Sequence, residues 1–279
     1  MDTKKVWVVT GASKGLGLTL VKKLLKEGYK VAAASRNVSA LNKEVGKQTS
    51  DFLPLQVDLV NEQSVAKAVA EIIHTFGTID VVVNNAGYGQ LGTLEELSDE
   101  EARQNFDINV FGSLNVIRKV MPHLRAKKSG AIFNISSIAG FLGNFPGWGI
   151  YCATKFAVAG FTESLAAETK AFGITATVVY PGYFRTDFLS KDSLSRPQHP
   201  IEAYTEARAL EMLHLNEIKG NQPGDPEKAA TVLIEIAESA APPLHLFLGQ
   251  DAYDMVKVKL ESVQKDMTVN EALATSTAF

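Results

Sequence analysis

The chain has 279 residues, 46% apolar and 21% charged, with a formal net charge of −3, an ordinary globular composition able to bury a large core. With no basic block, it lacks the electrostatic footprint of a nucleic-acid binder, so small molecules are the expected partners. A single cysteine, Cys152, excludes an internal disulfide, and no apolar run reaches the ~18 residues that span a bilayer.

The polar start from Met1 to Lys5 leads directly into a strand, so no targeting segment is expected and the location expected is a reducing cytoplasm. Residues 5–10 read as that strand, stopping at Gly11. Residues 15–27 read as a helix with Leu16, Leu20, Val21, Leu24 and Leu25 on its buried side and Gly28 as a left-handed cap. Between them, Thr10-Gly11-Ala12-Ser13-Lys14-Gly15-Leu16-Gly17 is a glycine-rich turn of G-x-x-x-G-x-G spacing. Its glycines permit a tight turn and close backbone approach, and free N–H groups at a helix start attract phosphate. Position after an N-terminal strand and before a helix makes the signal strong.

A second strand, 30–35, ends at Ser35-Arg36, where a dinucleotide fold reads the adenosine ribose. An acid there would take the 2′-hydroxyl of NAD; Arg36, joined by Lys14, suits a 2′-phosphate. Two solvated surface cations are the alternative, but their joint placement with no acid at Ser35 favours NADP(H). Residues 52–57 form a third strand leading to Asp58, placed either to accept from the adenine amino group or to cap the loop or the next helix, 61–76. Residues 79–83 are a continuous apolar run suited to a central parallel strand. They break at Asn84-Asn85-Ala86-Gly87, small and amide residues that can line a cofactor cleft.

Residues 99–125 read as helical yet contain Asn109-Val110-Phe111-Gly112. Asparagine and glycine each cost a helix up to about 1 kcal/mol relative to alanine, a local violation of the kind that marks functional sites. A fifth strand, 131–135, delivers Ser136-Ser137 to its carboxyl edge. After a loop at 140–149, a helix over 151–172 opens on Tyr151-Cys152-Ala153-Thr154-Lys155. The i,i+4 spacing stacks phenol and ammonium on one face. At about 5 Å and an effective dielectric of about 20 the cation stabilises a phenolate by ~3 kcal/mol, roughly two pKa units, which would bring the phenol toward neutrality as a proton donor.

A sixth strand, 175–180, ends in Pro181-Gly182. Residues 184–225 then break the alternation with a polar stretch containing Pro197, Pro200 and Pro223 and a helical piece near 201–217, read as a lid or binding loop. A helix at 226–240, a seventh strand at 243–248, a final helix at 252–266 and a frayed polar tail follow. The alternation predicts one α/β domain over 1–279: a Rossmann-type doubly wound parallel sheet of about seven strands with helices on both faces, a lid at 184–225 and a C-terminal helix and tail at 250–279.

The ordered set TGASKGLG, NNAG, the Asn109 motif, Ser137, Y-x-x-x-K and PG strongly resembles the short-chain dehydrogenase/reductase family over about residues 4–250. Residues 242–249 look like the end of the branch containing 17β-hydroxysteroid dehydrogenase-like and retinol dehydrogenase-like proteins. The resemblance implies a catalytic tetrad of Asn109, Ser137, Tyr151 and Lys155. The gap from Ser137 to Tyr151 is one residue longer than in many members, which leaves Ser136 open, although Ser137 before Ile138-Ala139-Gly140 matches the pattern better. Implied cofactor contacts are Gly11, Ser13, Lys14, Gly15, Leu16, Gly17, Arg36, Asp58, Asn85, Ala86, Gly87, Tyr151, Lys155, Pro181, Gly182 and Thr186.

In the family's mechanism Ser137 would bond the substrate oxygen, Tyr151 would protonate it and Lys155 would lower the tyrosine pKa and bind the nicotinamide ribose. Asn109 would hold a water linking the lysine to solvent. The aromatic residues Phe145, Trp148, Tyr183 and Phe188 are expected to contact substrate together with Ser137 and Tyr151. Tyr88, Phe141, Leu142, Phe184 and Leu189 are further candidates, and the set points to a lipophilic ketone or alcohol. A homodimer or homotetramer pairing through the helices of Asn109 and Tyr151 is also implied. The reading from another class is a dinucleotide-sensing regulatory or scaffold protein. None of the five histidines has metal-ligand spacing, and Cys152 reads as a small packing residue.

Overall fold

The computed structural model describes residues 4–191, 193–277 and 279. Strand β1 (Val6–Thr10) is followed by α1 (Gly15–Lys26), β2 (Lys30–Ser35), α2 (Val38–Val45), β3 (Phe52–Gln56), α3 (Glu62–Phe76) and β4 (Val81–Asn84). After a short β5 (Gly89–Gln90), α4 (Asp99–Phe106) passes through a π-helical turn (Asp107–Phe111) into α5 (Gly112–Lys127), β6 (Gly130–Ile135), α6 (Gly149–Thr169) and β7 (Ile174–Pro181). The remainder holds β8 (Leu194–Ser195), α7 (Thr205–Met212), a second π-helical turn (Leu213–Ile218), α8 (Pro226–Glu238), β9 (His245–Leu248) and α9 (Gln250–Thr275).

Seven strands form one parallel sheet in the order β3-β2-β1-β4-β6-β7-β9. Val8 lies between Ala32 and Val82, and all of β1 and β4 is buried. Such unbroken apolar strands require cover on both faces. On one side Leu20, Val21 and Leu24 of α1 pack with Leu41 of α2 and Leu233 of α8. On the other, Val65 and Ile72 of α3 meet Val116, Val120 and Leu124 of α5 and Leu165 of α6. The chain reverses its direction across the sheet between β1 and β4, which leaves a crevice at their carboxyl ends, the usual ligand position in open α/β sheets.

Local chemistry sets the boundaries. Gly28 and Gly77 take positive φ angles of 81° and 80° behind α1 and α3, and the Asn61 side chain accepts from Gln63 and Ser64 N–H to start α3. Ser98 and Glu101 form a reciprocal capping box at α4.

Three parts differ from the sequence expectation. Helix α2 went unread because its eight residues bury Leu41 alone, too short a run for periodicity to register. The helix expected over 99–125 is two α-helices joined by the wide turn that contains Asn109. The expected frayed tail is helical, since α9 continues to Thr275.

Leu24 is fully buried between sheet and α8. Leu24→Ala is expected to lower unfolding free energy by about 3 kcal/mol, and the Asn61→Ala cap deletion by about 1 kcal/mol, both measured by urea denaturation.

Candidate active site

A cavity of ≈360 Å³ opens at the carboxyl ends of the central strands. One end is built by the glycine turn. Gly11 has φ 63°, and a Cβ there would sit 2.7 Å from Ala86 Cα. Asn85 Nδ2 donates to the carbonyls of Thr10 and Gly11 at 3.0 and 3.2 Å, while Thr10 Oγ1 accepts from the N–H groups of Asn85 and Ala86 at 3.0 and 3.1 Å. The two loops expected to hold a cofactor are thus stitched to each other. Asn85, Ala86 and Gly87 line the cavity, with the Asn85 amide spent on this stitch.

Ser13, Lys14, Gly15 and Leu16 also line the cavity. Gly17 does not; it is buried, and a Cβ there would lie 2.4 Å from Asn85 Nδ2. Helix α1 begins without a side-chain cap and without an acid in its first turn. Its N-terminal N–H groups and positive dipole end therefore meet no anionic side chain of their own helix, a fit to a diphosphate. Thr186 stands beside this start, 3.6 Å from where a Gly15 Cβ would be.

Arg36 is exposed on the cavity wall at the end of β2, and Asp58 lies on the same wall. Asp58 Oδ1 accepts from Val60 N–H at 3.1 Å, and the Asp58 N–H donates to Ser64 Oγ at 3.1 Å. The loop-capping reading of Asp58 therefore holds, while the helix is capped by Asn61.

At the other end, α6 brings Tyr151 and Lys155 into the cavity opposite Ser137. Tyr151, Lys155 and Asn109 are 5%, 5% and 1% exposed. Lys155 Nζ donates to the Ile135 carbonyl at 2.9 Å and lies 5.7 Å from the Tyr151 ring centroid. Burial pushes the lysine down from 10.5 to about 8. Burial also pushes the Tyr151 phenol up from its ordinary value, against a hydrogen bond with Ser137 that pulls it down. The expected lowering of Tyr151 by the Lys155 charge is thus reversed here, because loss of hydration disfavours both charged forms.

Ser136 and Ser137 part ways. Ser136 Oγ donates to the Lys155 carbonyl at 2.7 Å, pinning the strand end to α6. Ser137 Oγ accepts from Ala139 N–H at 3.1 Å and keeps its proton for Tyr151 or a ligand. Asn109 lies behind the wall. Its Oδ1 accepts from Tyr88 N–H at 3.0 Å, and its Nδ2 donates to the Tyr88 carbonyl at 3.0 Å and Thr154 Oγ1 at 3.1 Å. The wide turn is what aims this amide backwards at β4's loop and at α6 together.

Pro181 at the end of β7 and Gly182, Tyr183, Phe188 and Leu189 beyond it close the cavity with Phe145 and Trp148, and Tyr88 and Phe184 reach it too. Phe141 and Leu142 do not. Phe141 packs edge-on to Tyr180 and Phe247, and Leu142 packs on Ala252 and Val256 of α9. Cys152 is buried, its thiol pushed up to about 11 by burial, as a packing residue would be.

One cavity residue had no signal in the sequence. His214, in the second wide turn, is 4% exposed. Its Nδ1 lies 2.8 Å from the Leu210 carbonyl, which can only accept; Nε2 therefore accepts from Tyr183 Oη at 2.9 Å. Burial lowers its pKa. Among the described residues, no three His, Cys, Asp or Glu side chains gather as a metal site, and no helix is long and apolar enough to cross a membrane.

The profile of the family described as short chain dehydrogenase matches residues 5–196. Oxidoreductase BOA17 of Botryotinia fuckeliana is 34% identical over 256 residues, covering 90% of each chain. The 3-ketodihydrosphingosine reductase of Bacteroides thetaiotaomicron is 35% identical over 247 residues, covering 88% of each. A short-chain dehydrogenase from Streptomyces avermitilis superposes with a TM-score of 0.91 at 34% identity, covering 100% of both chains. ElxO with NADP bound (TM-score 0.71, 27% identity, covering 88% of this chain and 96% of that one) and a Brucella melitensis 3-ketoacyl-(acyl-carrier-protein) reductase with NADH (0.72, 25%, the same coverages) share the fold.

The buried ammonium yields a stability test. The unfolded chain holds the Lys155 proton up to 10.5, whereas the folded chain releases it near 8, so unfolding free energy gains from this group as pH rises through that window. Relative to Lys155→Met, the wild type should gain roughly 3 kcal/mol between the two ends of the window in denaturant titrations at fixed pH.

Proposed function

The chain belongs to the short-chain dehydrogenase family, and from that premise we propose that it is an NADPH-dependent carbonyl reductase, reversible as an alcohol dehydrogenase, for a lipophilic small molecule. The observation that carries this reading is one cavity with an uncapped helix start and two cations at one end and Ser137, Tyr151 and Lys155 at the other.

The turn residues Gly11, Ser13, Lys14, Gly15 and Leu16 would hold the cofactor's diphosphate, with Gly17 shaping the turn from beneath. Arg36 would face a 2′-phosphate and Asp58 would border the adenine. Asn85, Ala86, Gly87, Pro181, Gly182 and Thr186 would line the rest of the groove. When bound, the nicotinamide supplies the hydride.

The residues of the chain manage the oxygen. Ser137 Oγ and Tyr151 Oη donate to the substrate carbonyl, and a hydrogen bond aimed where negative charge develops is worth more in a cavity closed to water. Tyr151 gives up its proton as that charge forms. Lys155 stabilises the resulting phenolate once it carries its own proton, and Asn109 holds Tyr88 and Thr154 so that the two side chains meet the substrate oxygen in register. Phe145, Trp148, Tyr183 and Phe188 surround the substrate with apolar surface. Residues 184–225 act as the lid in a single catalytic domain. The Bacteroides relative named 3-ketodihydrosphingosine reductase, and the resemblance of residues 242–249 to the hydroxysteroid and retinol branch, support a lipophilic ketone. Exposed Phe111 and Phe156 support a homo-oligomer built on α5 and α6, working in the cytoplasm.

The test is oxidation of NADPH across a panel of apolar ketones, aldehydes and quinones. Tyr151→Phe is expected to lower turnover by about 10³-fold with NADPH affinity nearly intact; unchanged turnover would overturn the mechanism. Arg36→Asp should weaken NADPH by tenfold or more while leaving NADH binding close to wild type, read by fluorescence titration of each cofactor. Equal wild-type affinities for the two would remove the NADPH assignment.

A further inference from the structure

Helix α9 leaves the body of the protein after its first two turns. Ala252 and Val256 are buried beside Ile138 and Leu142, yet every residue from Lys257 to Thr275 is exposed. At 1.5 Å per residue the free part is roughly 28 Å long. A bare helix of that length is marginal in water and ordinarily owes its stability to packing along one face.

A packing face is present. Tyr253, Val256, Leu260, Val263, Met267 and Asn270 follow each other at alternating spacings of three and four residues, the heptad seam of a coiled coil with one polar position. Val256 is spent on the body, but Leu260, Val263 and Met267 are 55%, 39% and 62% exposed on the same stripe. The seam fits another helix of matching repeat.

The flanking charges say which one. Lys257 and Glu271 occupy the position after the second seam residue of their heptads, and Lys259 and Asp266 the position before the first. Antiparallel pairing of two identical helices puts like flanks side by side: with Val263 level with the second copy's Met267, Lys257 meets its Glu271 at both ends of the pair, at the expense of one Asp266–Asp266 approach across the two-fold axis. Parallel pairing would set Asp266 against Glu271, two like charges. A lipid surface fits poorly, since α9 carries three lysines, Lys257, Lys259 and Lys265, against five carboxylates, Asp251, Asp254, Glu261, Asp266 and Glu271, and interfacial helices are rich in cations. We propose that α9 pairs antiparallel with α9 of a second copy of this chain, an interface separate from any built on α5 and α6.

The test is particle mass of the full chain by sedimentation velocity and light scattering at micromolar concentration. Leu260→Asp with Met267→Asp should halve the wild-type mass. Turnover per site should stay within twofold, because no residue of α9 lines the cavity. Glu271→Lys should weaken assembly by setting Lys257 against a lysine, and the swap K257E/E271K, which keeps composition and helicity, should restore the wild-type mass. Equal masses for wild type and the seam double variant would overturn the proposal. So would tighter assembly of Glu271→Lys, which marks a parallel pair, or α9-dependent pelleting of the wild type with phosphatidylcholine–phosphatidylserine vesicles.

Discussion

The buried amide of Asn109 is the point on which the reactive end of the cavity depends. A single side chain bonds both main-chain groups of Tyr88 and the hydroxyl of Thr154, so it joins the loop after β4 to α6, which carries Tyr151 and Lys155. Asn105 adds a second donor to the Tyr88 carbonyl at 3.1 Å. Because these groups are buried, breaking the node would strand several donors and acceptors away from water, a penalty of about 1–3 kcal/mol for each. Gly87 packs closely against the same node: a Cβ there would come to 3.0 Å from Asn109 Oδ1 and 3.4 Å from Lys155 Nζ, so a larger residue would push these two side chains by a few tenths of an ångström.

The electrostatics of the pair on α6 follow from this enclosure. Sequence spacing places a cation one helical turn from a phenol, and Coulomb's law at an interior dielectric then favours the phenolate. In the folded chain the lysine is turned to the Ile135 carbonyl and both groups have lost their hydration. Desolvation sets the ground state of the site, with phenol and amine each driven toward neutrality. A donor that stays protonated until an oxygen of rising basicity arrives is suited to a reduction, and the neighbouring Ser137 hydroxyl already acts on the same phenol.

Strands and motifs were legible in the sequence because they are written in strong local codes. Four buried positions in a row at β4, glycines at positive φ, and a strand–glycine turn–helix order leave few alternatives. The Ser136 ambiguity was of another kind, since two identical side chains one residue apart point to opposite faces, and only the packing against the Lys155 carbonyl separates them. The wide turn at Asn109 was visible only as a breach of helix preference, not as the extra residue per turn that it is. His214 was invisible, because its place in the cavity depends on how the segment after β7 folds back onto Tyr183 and Trp148. Phe141 and Leu142 differ for the complementary reason: aromatic and aliphatic residues near a site also serve the core, and the packing of the start of α9 claims Leu142.

The polar ties that fasten the segment after β7 lie mostly outside the ligand space, with Ser193 both a tie and part of the cavity wall. β8 pairs with β5 through the main chain, with Gly89 N–H on the Ser193 carbonyl and Leu91 N–H on the Ser195 carbonyl, both at 2.9 Å. Glu96 receives Ile201 N–H at 2.7 Å and the Arg208 guanidinium at 2.8 Å, and Glu101 receives Gln198 N–H at 3.0 Å. Phe188, Leu189 and His214, which face inward, add apolar packing and the Tyr183–His214 hydrogen bond but none of the main-chain and carboxylate ties. The polar ties and most of the inward-facing side chains are therefore different residues of one stretch of chain. Mutation at the inward positions can redraw the shape of the chamber while the carboxylate and main-chain ties stay moored, so a lineage built on this scaffold is free to vary the interior of the cavity without rebuilding its frame.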